Sequence, residues 1–387
     1  MSALPPKFTV LQIVPRLDTG GAEQTTLDIA AAVQAAGGRA LVASMGGRMQ
    51  QALEACGAEL IKMPVHSKNP LVMLANALRL VSLVRKRKAS LIHVRSRAPA
   101  FSALIAAKLS GAPLIATYHG VYNARSALKR WYNGIMTRGE VIIANSEFTR
   151  ARVIAEHGVP PSKVIAIPRG VDLRRFSPAA VTPGRLETLA RAWALDPADR
   201  RVKVLLAGRL TRWKGQTLAI QAAIRLKAQD RSFLMLLAGD AQGRSAYLAE
   251  IEAMIRAGGL HDYVHVVGHC ADMPAAYTLC DIAIAPSLDP EAFGRTGVEP
   301  QLMGRPVVAA DHGATRETVV PGQTGWLAKP GDVDDWTRVL GEAIGAGAEK
   351  RTVMGRAAMA RARALYSVDA MCDATLKVYA DVMACRR

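Results

Sequence analysis

The chain has 387 residues, half of them hydrophobic, and a formal net charge of +18. This length exceeds what one hydrophobic core usually serves, so two domains are expected. No apolar run approaches the ~18 residues of a membrane-spanning helix, and the short N-terminal run at 8–14 lacks the features of a secretory signal. The five scattered cysteines show no metal-ligand spacing, a pattern typical of reduced thiols in a cytoplasmic protein.

In the first half, short apolar runs rich in β-branched residues alternate with amphipathic stretches. The apolar runs predict strands at 8–14, 39–44, 59–63, 90–94, 113–117, 140–144 and 164–167. The amphipathic stretches predict helices at 22–36, 71–88, 98–109 and 147–156. This alternation favours a parallel, doubly wound sheet.

The same pattern restarts after a polar, proline-containing stretch. It predicts strands at 202–207, 233–238, 264–267, 282–285 and 306–309, and helices at 216–228, 246–256, 273–279, 298–303 and 316–320. The expected fold is α/β, with two Rossmann-like doubly wound domains facing a central cleft, where open α/β sheets bind ligands. We place these domains at 1–175 and 201–366, a linker at 176–200, and at 367–387 a C-terminal helix that packs back toward the first domain.

Positive charge is concentrated in the first half. Residues 1–180 hold 24 Lys and Arg against 9 Asp and Glu, whereas the remainder holds 26 against 23. A basic domain suggests an anionic surface or substrate. The densest run, at 79–88, has Leu80, Leu83 and Val84 at helical spacing. This helix is expected either to lie on anionic lipid or to be a solvated helix end. Its lipid-binding cations would be Arg85, Lys86, Arg87 and Lys88. Nucleic acid is not expected as a partner, because aromatic residues are few and none is interleaved with the run.

Two cations follow the predicted strand at 202–207, in the segment GRLTRWKG. Arg209 can bind phosphate oxygens bidentately and Lys214 supplies a point charge, so both suit a diphosphate. The alternative is a pair of surface cations, but the position at the carboxyl edge of a sheet favours a functional role.

Glu291 and Glu299 lie in the segment PSLDPEAFGRTGVEPQLMG, just after a buried strand. Carboxylates accept hydrogen bonds well from vicinal hydroxyls, so both suit the two ends of a sugar-diphosphate-ribose. An acid–base pair of a glycosidase and an ordinary loop and helix-start pair are the alternatives. Because proline is tolerated in a first helical turn, Pro300 predicts a helix that begins no earlier than about Thr296, with Glu299 in its first turn.

Two further segments exclude other chemistry. Asp18-Thr19-Gly20-Gly21-Ala22-Glu23 follows the first predicted strand but lacks the G-x-G-x-x-G pattern of an NAD site. A plain turn with a helix cap is one explanation of it. Asp332-Val333-Asp334 has the D-x-D pattern of some metal sites, but it follows Pro330-Gly331 and predicts helix-start carboxylates.

Together these segments resemble glycosyltransferase family 4, whose members are retaining enzymes with the GT-B fold. The similarity extends from the GGAE near residue 20 to the GQTGWL near residue 325, and it includes the E-x7-E pair and the GRL-x3-KG segment. It implies that Glu291 contacts hydroxyls of the transferred sugar and that Glu299 binds the nucleotide ribose. The amides of Phe293 and Gly294 would then lie near the sugar and phosphate.

The resemblance implies roles for four more positions. The backbone of Gly20 and Gly21 would face the donor phosphates, His119 in TYHG would contact the donor sugar near the reacting carbon, and backbone at Gly268 and His269 would contact the base.

Two further landmarks of the family are NSE at 145–147 and RGVD at 169–172. The first predicts a helix cap at Asn145 or Ser146. In the second, Arg169 replaces an Asn that is frequent in the family and suggests an extra phosphate or acceptor contact.

We therefore predict a retaining glycosyltransferase that moves a hexose from a UDP- or GDP-sugar to a membrane-associated envelope glycan or glycolipid, such as lipopolysaccharide core. The expected catalytic groups are His119, Glu291, Arg209 and Lys214. Neither a cofactor nor a metal is expected, and the site of action would be the cytoplasmic face of the inner membrane. The alternatives are a GT-B epimerase or hydrolase acting on sugar nucleotides, and a non-catalytic anionic-lipid- or RNA-binding protein on this fold.

Overall fold

A computed structural model describes residues 4–18, 20–120, 122 and 126–386. The chain forms two compact units. Unit 1 combines Met1–Gly170 with Val368–Arg387, and unit 2 is Val171–Ser367. In the part of the chain that is described, no helix is both long enough and apolar enough to cross a membrane.

The described residues of unit 1 form a sheet of seven strands, all parallel to their neighbours, in the order β3-β2-β1-β4-β5-β6-β7. The strands are β1 Thr9–Ile13, β2 Arg39–Ser44, β3 Glu59–Lys62, β4 Leu91–Val94, β5 Leu114–Tyr118, β6 Val141–Ala144 and β7 Val164–Ala166. All seven were predicted. They form because short β-branched and apolar runs are buried on both faces of a parallel sheet, and every residue of β1 and β4 is buried.

In the described part of unit 1, the α-helices between these strands are α1 Gly21–Ala35, α2 Gln50–Ala55, α3 Pro70–Arg87, α4 Arg97–Ser110, α5 Ala127–Gly134 and α6 Glu147–His157. The short helices α2 and α5 were not predicted. α5 has a highly amphipathic sequence, but its eight residues are too few for a periodic pattern to stand out.

Unit 2 contains a second parallel sheet, with six strands in the order β10-β9-β8-β11-β12-β13. The strands are β8 Val202–Ala207, β9 Phe233–Ala238, β10 Val264–Gly268, β11 Ile282–Ala285, β12 Val307–Ala310 and β13 Gly325–Ala328. The sequence predicted the first five. β13 was missed because its four residues, GWLA, have neither the length nor the β-branched content of the others.

The helices of unit 2 are α7 Pro183–Ala192, α8 Gln216–Ala228, α9 Ser245–Ala257, α10 Met273–Leu279, α11 Arg295–Leu302, α12 Thr315–Thr318, α13 Val333–Gly345 and α14 Gly347–Leu365. α7 lies within the segment expected to be a linker and packs on α10. After unit 2, α15 (Val368–Ala384) packs on α1 in unit 1.

The start of α11 corrects one expectation. The helix begins at Arg295 rather than at or after Thr296, and Pro300 lies inside it, so Glu299 is in the second turn. Proline removes one backbone donor here, and the turn is reinforced by the side chain of Gln301, which donates to the carbonyl of Gly297 at 2.6 Å and to that of Thr318 at 2.9 Å.

The two strand orders locate the binding edges. In both sheets the chain winds outward from the first strand in one direction and then in the other, so the order reverses between β1 and β4 and between β8 and β11. Ligands of open α/β sheets bind beyond the carboxyl ends of strands at such a reversal. The prediction of an α/β fold with two Rossmann-like sheets is confirmed.

Candidate functional site

In unit 2, Lys214 and Glu291 form an ion pair at the strand-order reversal. Lys214 follows β8, Glu291 follows β11, and the Lys214 ammonium donates to the Glu291 carboxylate. Both side chains are nearly buried, with 12% and 11% of their surface exposed. The sequence predicted each residue for the site but assigned them to different parts of the ligand. The structure brings them into direct contact.

The loop that carries Glu291 is held from three sides. Ser287 Oγ donates to Glu291 Oε1 at 2.8 Å, His312 Nε2 lies 2.9 Å from the Ser287 carbonyl oxygen, and the Ala314 amide donates to the Glu291 carbonyl at 2.9 Å. Gly294, which precedes α11, has φ of 76°, a conformation that favours glycine. The carboxylate of Glu291 is therefore fixed before any ligand binds.

Lys214 is also held in place, and its ammonium can still donate hydrogen bonds to a ligand. It ends a 3-10 turn at Arg212–Lys214, and its ammonium lies 4.4 Å from the centre of the Trp213 ring. The carbonyl of Trp213 accepts from the amide of Leu288, on the loop of Glu291, at 2.7 Å. An ammonium has three N–H donors, so the bond to Glu291 leaves donors for a phosphate oxygen.

Glu299 lies one turn into α11 and is buried. Its Oε1 forms an ion pair with Arg295 at 2.9 Å, and Tyr277 Oη donates to its Oε2 at 3.3 Å. Burial raises the pKa of Glu299, while Arg295 and Tyr277 act in the opposite direction. The pairing of Arg295 with Glu299 could have been predicted from their i, i+4 spacing in the sequence. Tyr277 lies on another helix, so its contact with Glu299 could not be predicted from sequence spacing.

The other predicted residues of unit 2 take different positions. Arg209 lies after β8 with an exposed side chain, and its backbone carbonyl accepts from Gln216 Nε2 at 3.0 Å. Gly268 ends β10, and His269 after it is exposed. The Phe293 ring is buried and contacts Tyr366 edge-on at 5.6 Å, so only its backbone can serve a ligand.

In unit 1, the paired glycines open α1 as the sequence predicted. Gly20 is the N-cap of α1 and Gly21 its first residue. A Cβ atom at Gly21 would collide with the guanidinium of Arg169, so a larger residue at this position would require that guanidinium to shift. Arg169 Nη2 also donates to the carbonyl of His119 at 2.9 Å. The structure thus brings Gly21, His119 and Arg169 together at one sheet edge.

His119 follows β5 with both ring nitrogens buried. Neither nitrogen has a hydrogen-bond partner among the described residues. Burial lowers the pKa of His119 well below its usual range, and Arg169 and Arg95 lower it further. The imidazole is therefore neutral near pH 7, and it can donate from one nitrogen and accept at the other.

A buried polar network below this edge was not found from the sequence. Arg95 donates to Gln12 Oε1 from Nε at 3.0 Å and from Nη2 at 2.6 Å. His93 Nδ1 lies 2.6 Å from Tyr379 Oη of α15, and its Nε2 lies 2.7 Å from Thr117 Oγ1. The polar residues inside strands β1 and β4, Gln12 and His93, were the available signal, since buried polar groups need partners.

At the basic end of α3, the structure contradicts part of the lipid-binding prediction. Leu80 and Val84 are buried in the core of unit 1 rather than facing outward, so the predicted lipid-facing stripe is wrong. Two cations serve the fold: Arg85 donates to the carbonyl of Leu109 at 2.8 Å, and Arg87 pairs with Glu59 at 2.6 Å. The remaining two, Lys86 in the last turn and Lys88 at the C-cap, are exposed.

Two capping predictions are confirmed. Ser146 Oγ accepts from the Thr149 amide at 3.0 Å and caps α6, and Asp332 Oδ1 accepts from the Asp335 amide at 3.0 Å and caps α13. Among the described residues, no group of three or more His, Cys, Asp or Glu side chains is placed to hold a metal.

Comparison with known proteins covers most of the chain. Residues 19–175 match the family described as Glycosyltransferase Family 4, and residues 191–361 match Glycosyl transferases group 1. Among solved structures, a glycosyltransferase of Rickettsia africae is 30% identical, with a TM-score of 0.90, over 98% of this chain and 99% of its own.

Two further relatives carry more specific names. Anabaena Alr3699/HepE, solved in complex with UDP and glucose, is 25% identical, with a TM-score of 0.81, over 96% of this chain and 99% of its own. A D-inositol 3-phosphate glycosyltransferase of Salinispora tropica is 30% identical over 260 residues, which is 65% of this chain and 52% of that protein. The chain thus spans about half the length of that curated relative.

Proposed function

Because the chain belongs to glycosyltransferase family 4 and has the GT-B fold, we propose that it is a retaining hexosyltransferase. It takes a hexose from a UDP- or GDP-linked donor and transfers it to an anionic glycolipid or glycan of the cell envelope, of which lipopolysaccharide core is one example. The reaction takes place at the cytoplasmic face of the inner membrane.

The observation that carries this proposal is the Lys214–Glu291 pair at the strand-order reversal of unit 2. A carboxylate fixed beside an ammonium offers acceptors for sugar hydroxyls and donors for phosphate within one small region. A glycosidase needs one carboxyl group that stays protonated. The carboxylate of Glu291 instead accepts hydrogen bonds from Lys214 and Ser287.

The donor would bind along this edge with Glu291 at the sugar and Glu299 at the ribose. Glu299 is buried and already oriented by Arg295 and Tyr277, as expected of a group that fixes one end of a ligand. HepE, of similar fold, was solved with UDP and glucose, which supports a nucleotide-sugar donor. The base and the hexose stay open between the UDP- and GDP-linked series.

In the proposed reaction, the acceptor oxygen bonds to the anomeric carbon as the bond from that carbon to the diphosphate breaks. The attack comes from the face of the leaving group, and the acceptor proton passes to a phosphate oxygen of the departing nucleotide. In unit 2, Lys214 and Arg209, with the amide of Gly294, stabilise the charge that develops on the diphosphate. Within unit 1, the neutral His119 imidazole is available to hydrogen-bond a sugar hydroxyl.

An anionic acceptor is supported by the charge of the chain, most of which lies in the first 180 residues. The Salinispora tropica relative is named after a phosphorylated inositol, which is likewise an anionic molecule. A basic surface raises the local concentration of such substrates and speeds their association.

Nucleotide release tests this proposal. A panel of UDP-, GDP- and ADP-sugars is incubated with the enzyme, with and without envelope glycolipid extracts, and the freed nucleoside diphosphate is measured. We expect release to depend on one UDP- or GDP-sugar and to increase on adding the extract, with the anomeric configuration of the donor retained in the product. Release from no member of the panel, or an inverted product, would contradict the proposal.

A further inference from the structure

A polar cavity of about 490 Å³ lies in unit 1 between the start of α4 and the helix α5. This volume is within the range of small-molecule sites, roughly 300–1,000 Å³. The residues that define its chemistry are Lys68, Arg97, Tyr122, Lys129, Tyr132 and Asn133. Tyr122 also packs at 5.2 Å on the ring of Tyr118, the residue before His119. The cavity therefore adjoins the sheet edge that carries His119.

The positive charge in this cavity is not neutralised by its lining. The Arg97 guanidinium lies 4.0 Å from the Tyr122 ring centre and donates to the amide oxygen of Asn133 at 2.7 Å. Lys68 and Lys129 are exposed and form no ion pair within the described part of the chain. No Asp or Glu is among the described residues that line the cavity. Three cations with one fixed by aromatic stacking are suited to an anion of more than one charge.

Exposed apolar side chains lie on the two helices, α3 and α5, whose residues or flanking residues line the cavity. Leu128 and Trp131 flank Lys129 on α5 and are 74% and 64% exposed. Leu71, three residues after Lys68, is 78% exposed and begins a stripe along α3. The stripe continues through Leu74 and Leu78, which are 53% and 59% exposed. Exposed leucines and tryptophan beside lysines are the composition of a surface that inserts into the membrane interface.

We propose that this cavity binds the phosphoryl group of a membrane lipid acceptor, while Leu128, Trp131 and the α3 stripe contact its acyl chains and the bilayer surface. This inference rests on the proposed transfer to a lipid-borne acceptor. A phosphate monoester carries a charge of about −1.5 to −2 at pH 7, which matches three cations better than a single carboxylate does.

Binding of two soluble probes tests the inference by calorimetry on the full chain. The probes are dihexanoylphosphatidic acid below its micelle concentration and glycerol 3-phosphate, which share the phosphoryl group. We expect the lipid to bind more tightly than glycerol 3-phosphate. Lys68→Ala and Lys129→Ala should each weaken both probes by about tenfold, as for loss of a charged hydrogen bond. Leu128→Ser combined with Trp131→Ser should weaken only the lipid.

The control is Arg138→Ala, because Arg138 is an exposed cation that follows the 3-10 turn at Ile135–Thr137 and lines no part of the cavity. Equal binding of both probes, with no effect of the apolar variant, would replace the lipid by a soluble phosphate ester and overturn the lipid assignment. If the lysine variants bind both probes as tightly as the wild-type protein does, the assignment of this cavity as the phosphoryl site is overturned. UDP and GDP are titrated into the same samples: nucleotide binding without phosphate binding contradicts this inference alone.

Discussion

Units 1 and 2 share a strand order but treat their positive charges differently. In unit 2, two cations near the sheet edge are paired with carboxylates, Lys214 with Glu291 and Arg295 with Glu299. In unit 1, Arg95 and Arg97 donate instead to the amide oxygens of Gln12 and Asn133.

An amide orients a guanidinium without neutralising it, whereas a carboxylate cancels the charge and presents acceptors. Unit 2 is thus arranged for the hydroxyl groups of a sugar and a ribose, and unit 1 keeps charge available for an anion. The same fold supports two kinds of recognition because the partners of its cations differ.

The largest effect is expected from substitution of Glu291 in the Lys214–Glu291 ion pair. Glu291→Gln keeps the shape of the side chain but removes the charge that orients Lys214, so we expect sugar transfer to fall by about a thousandfold, as for loss of a preorganised transition-state contact. Initial rates of nucleotide release measure it. The matched control is Glu252→Gln, an exposed position on α9, which should retain the wild-type rate. A Glu291→Gln enzyme with near wild-type activity would refute the assignment.

Substitutions of Lys214 and Arg209 should differ in their effect on protein stability. Lys214→Ala leaves a buried Glu291 carboxylate without its partner, so we expect the free energy of unfolding of unit 2 to decrease by about 3 kcal/mol. Arg209 is exposed, so Arg209→Ala should change it by less than about 0.5 kcal/mol. Both should weaken nucleotide binding. Urea unfolding curves decide the matter, and equal stabilities of the two variants would show that the pair is not buried in solution.

Unit 1 should lose stability on acidification. Burial lowers the pKa of His93 and His119 well below the usual value in the folded state, so the unfolded chain binds protons below about pH 6.5 that the folded chain does not. Stability is then complete above pH 6.5 and decreases below it by about 1.4 kcal/mol per pH unit for each histidine. Hydrogen exchange of β4 and β5 peptides at pH 7.5 and 5.5 tests this, and equal protection would contradict it.

The smallest effect concerns the basic end of α3. Arg87 and Glu59 form an exposed pair, with 43% and 37% of their side-chain surface accessible. Arg87→Ala should therefore lower the free energy of unfolding by less than about 1 kcal/mol, and less still at high salt. Thermal unfolding at low and high salt measures both. A larger loss would mean that α3 depends on this pair more than on its buried apolar residues, such as Leu80 and Val84.

The sequence predicted most strands of unit 2, and its candidate site residues Lys214, Glu291 and Glu299 belong to motifs that follow those strands. The contact between Lys214 and Glu291 could not be predicted, since it joins two loops 77 residues apart. The error at α11 arose because Pro300 was expected in a first turn, whereas the second turn is reinforced by Gln301.

Unit 1 was less predictable. Lys68, Arg97 and Lys129 belong to three separate segments that meet only in the fold, and each alone is an ordinary surface cation. The dense positive charge at 79–88 suggested a lipid-binding helix, but the apolar residues expected to face the lipid, Leu80 and Val84, are buried in α3. Local charge density indicates that a unit is basic, but the positions of the cations that remain available depend on tertiary packing.

One pair of titrations tests the division of labour between the units most directly. UDP or GDP, whichever binds, and dihexanoylphosphatidic acid are titrated into wild-type, Glu299→Gln and Lys129→Ala proteins. We predict that Glu299→Gln weakens nucleotide binding by about tenfold and leaves the lipid unchanged, and that Lys129→Ala does the reverse. If either substitution weakens both ligands equally, or if each affects only the ligand assigned to the other unit, the account is contradicted.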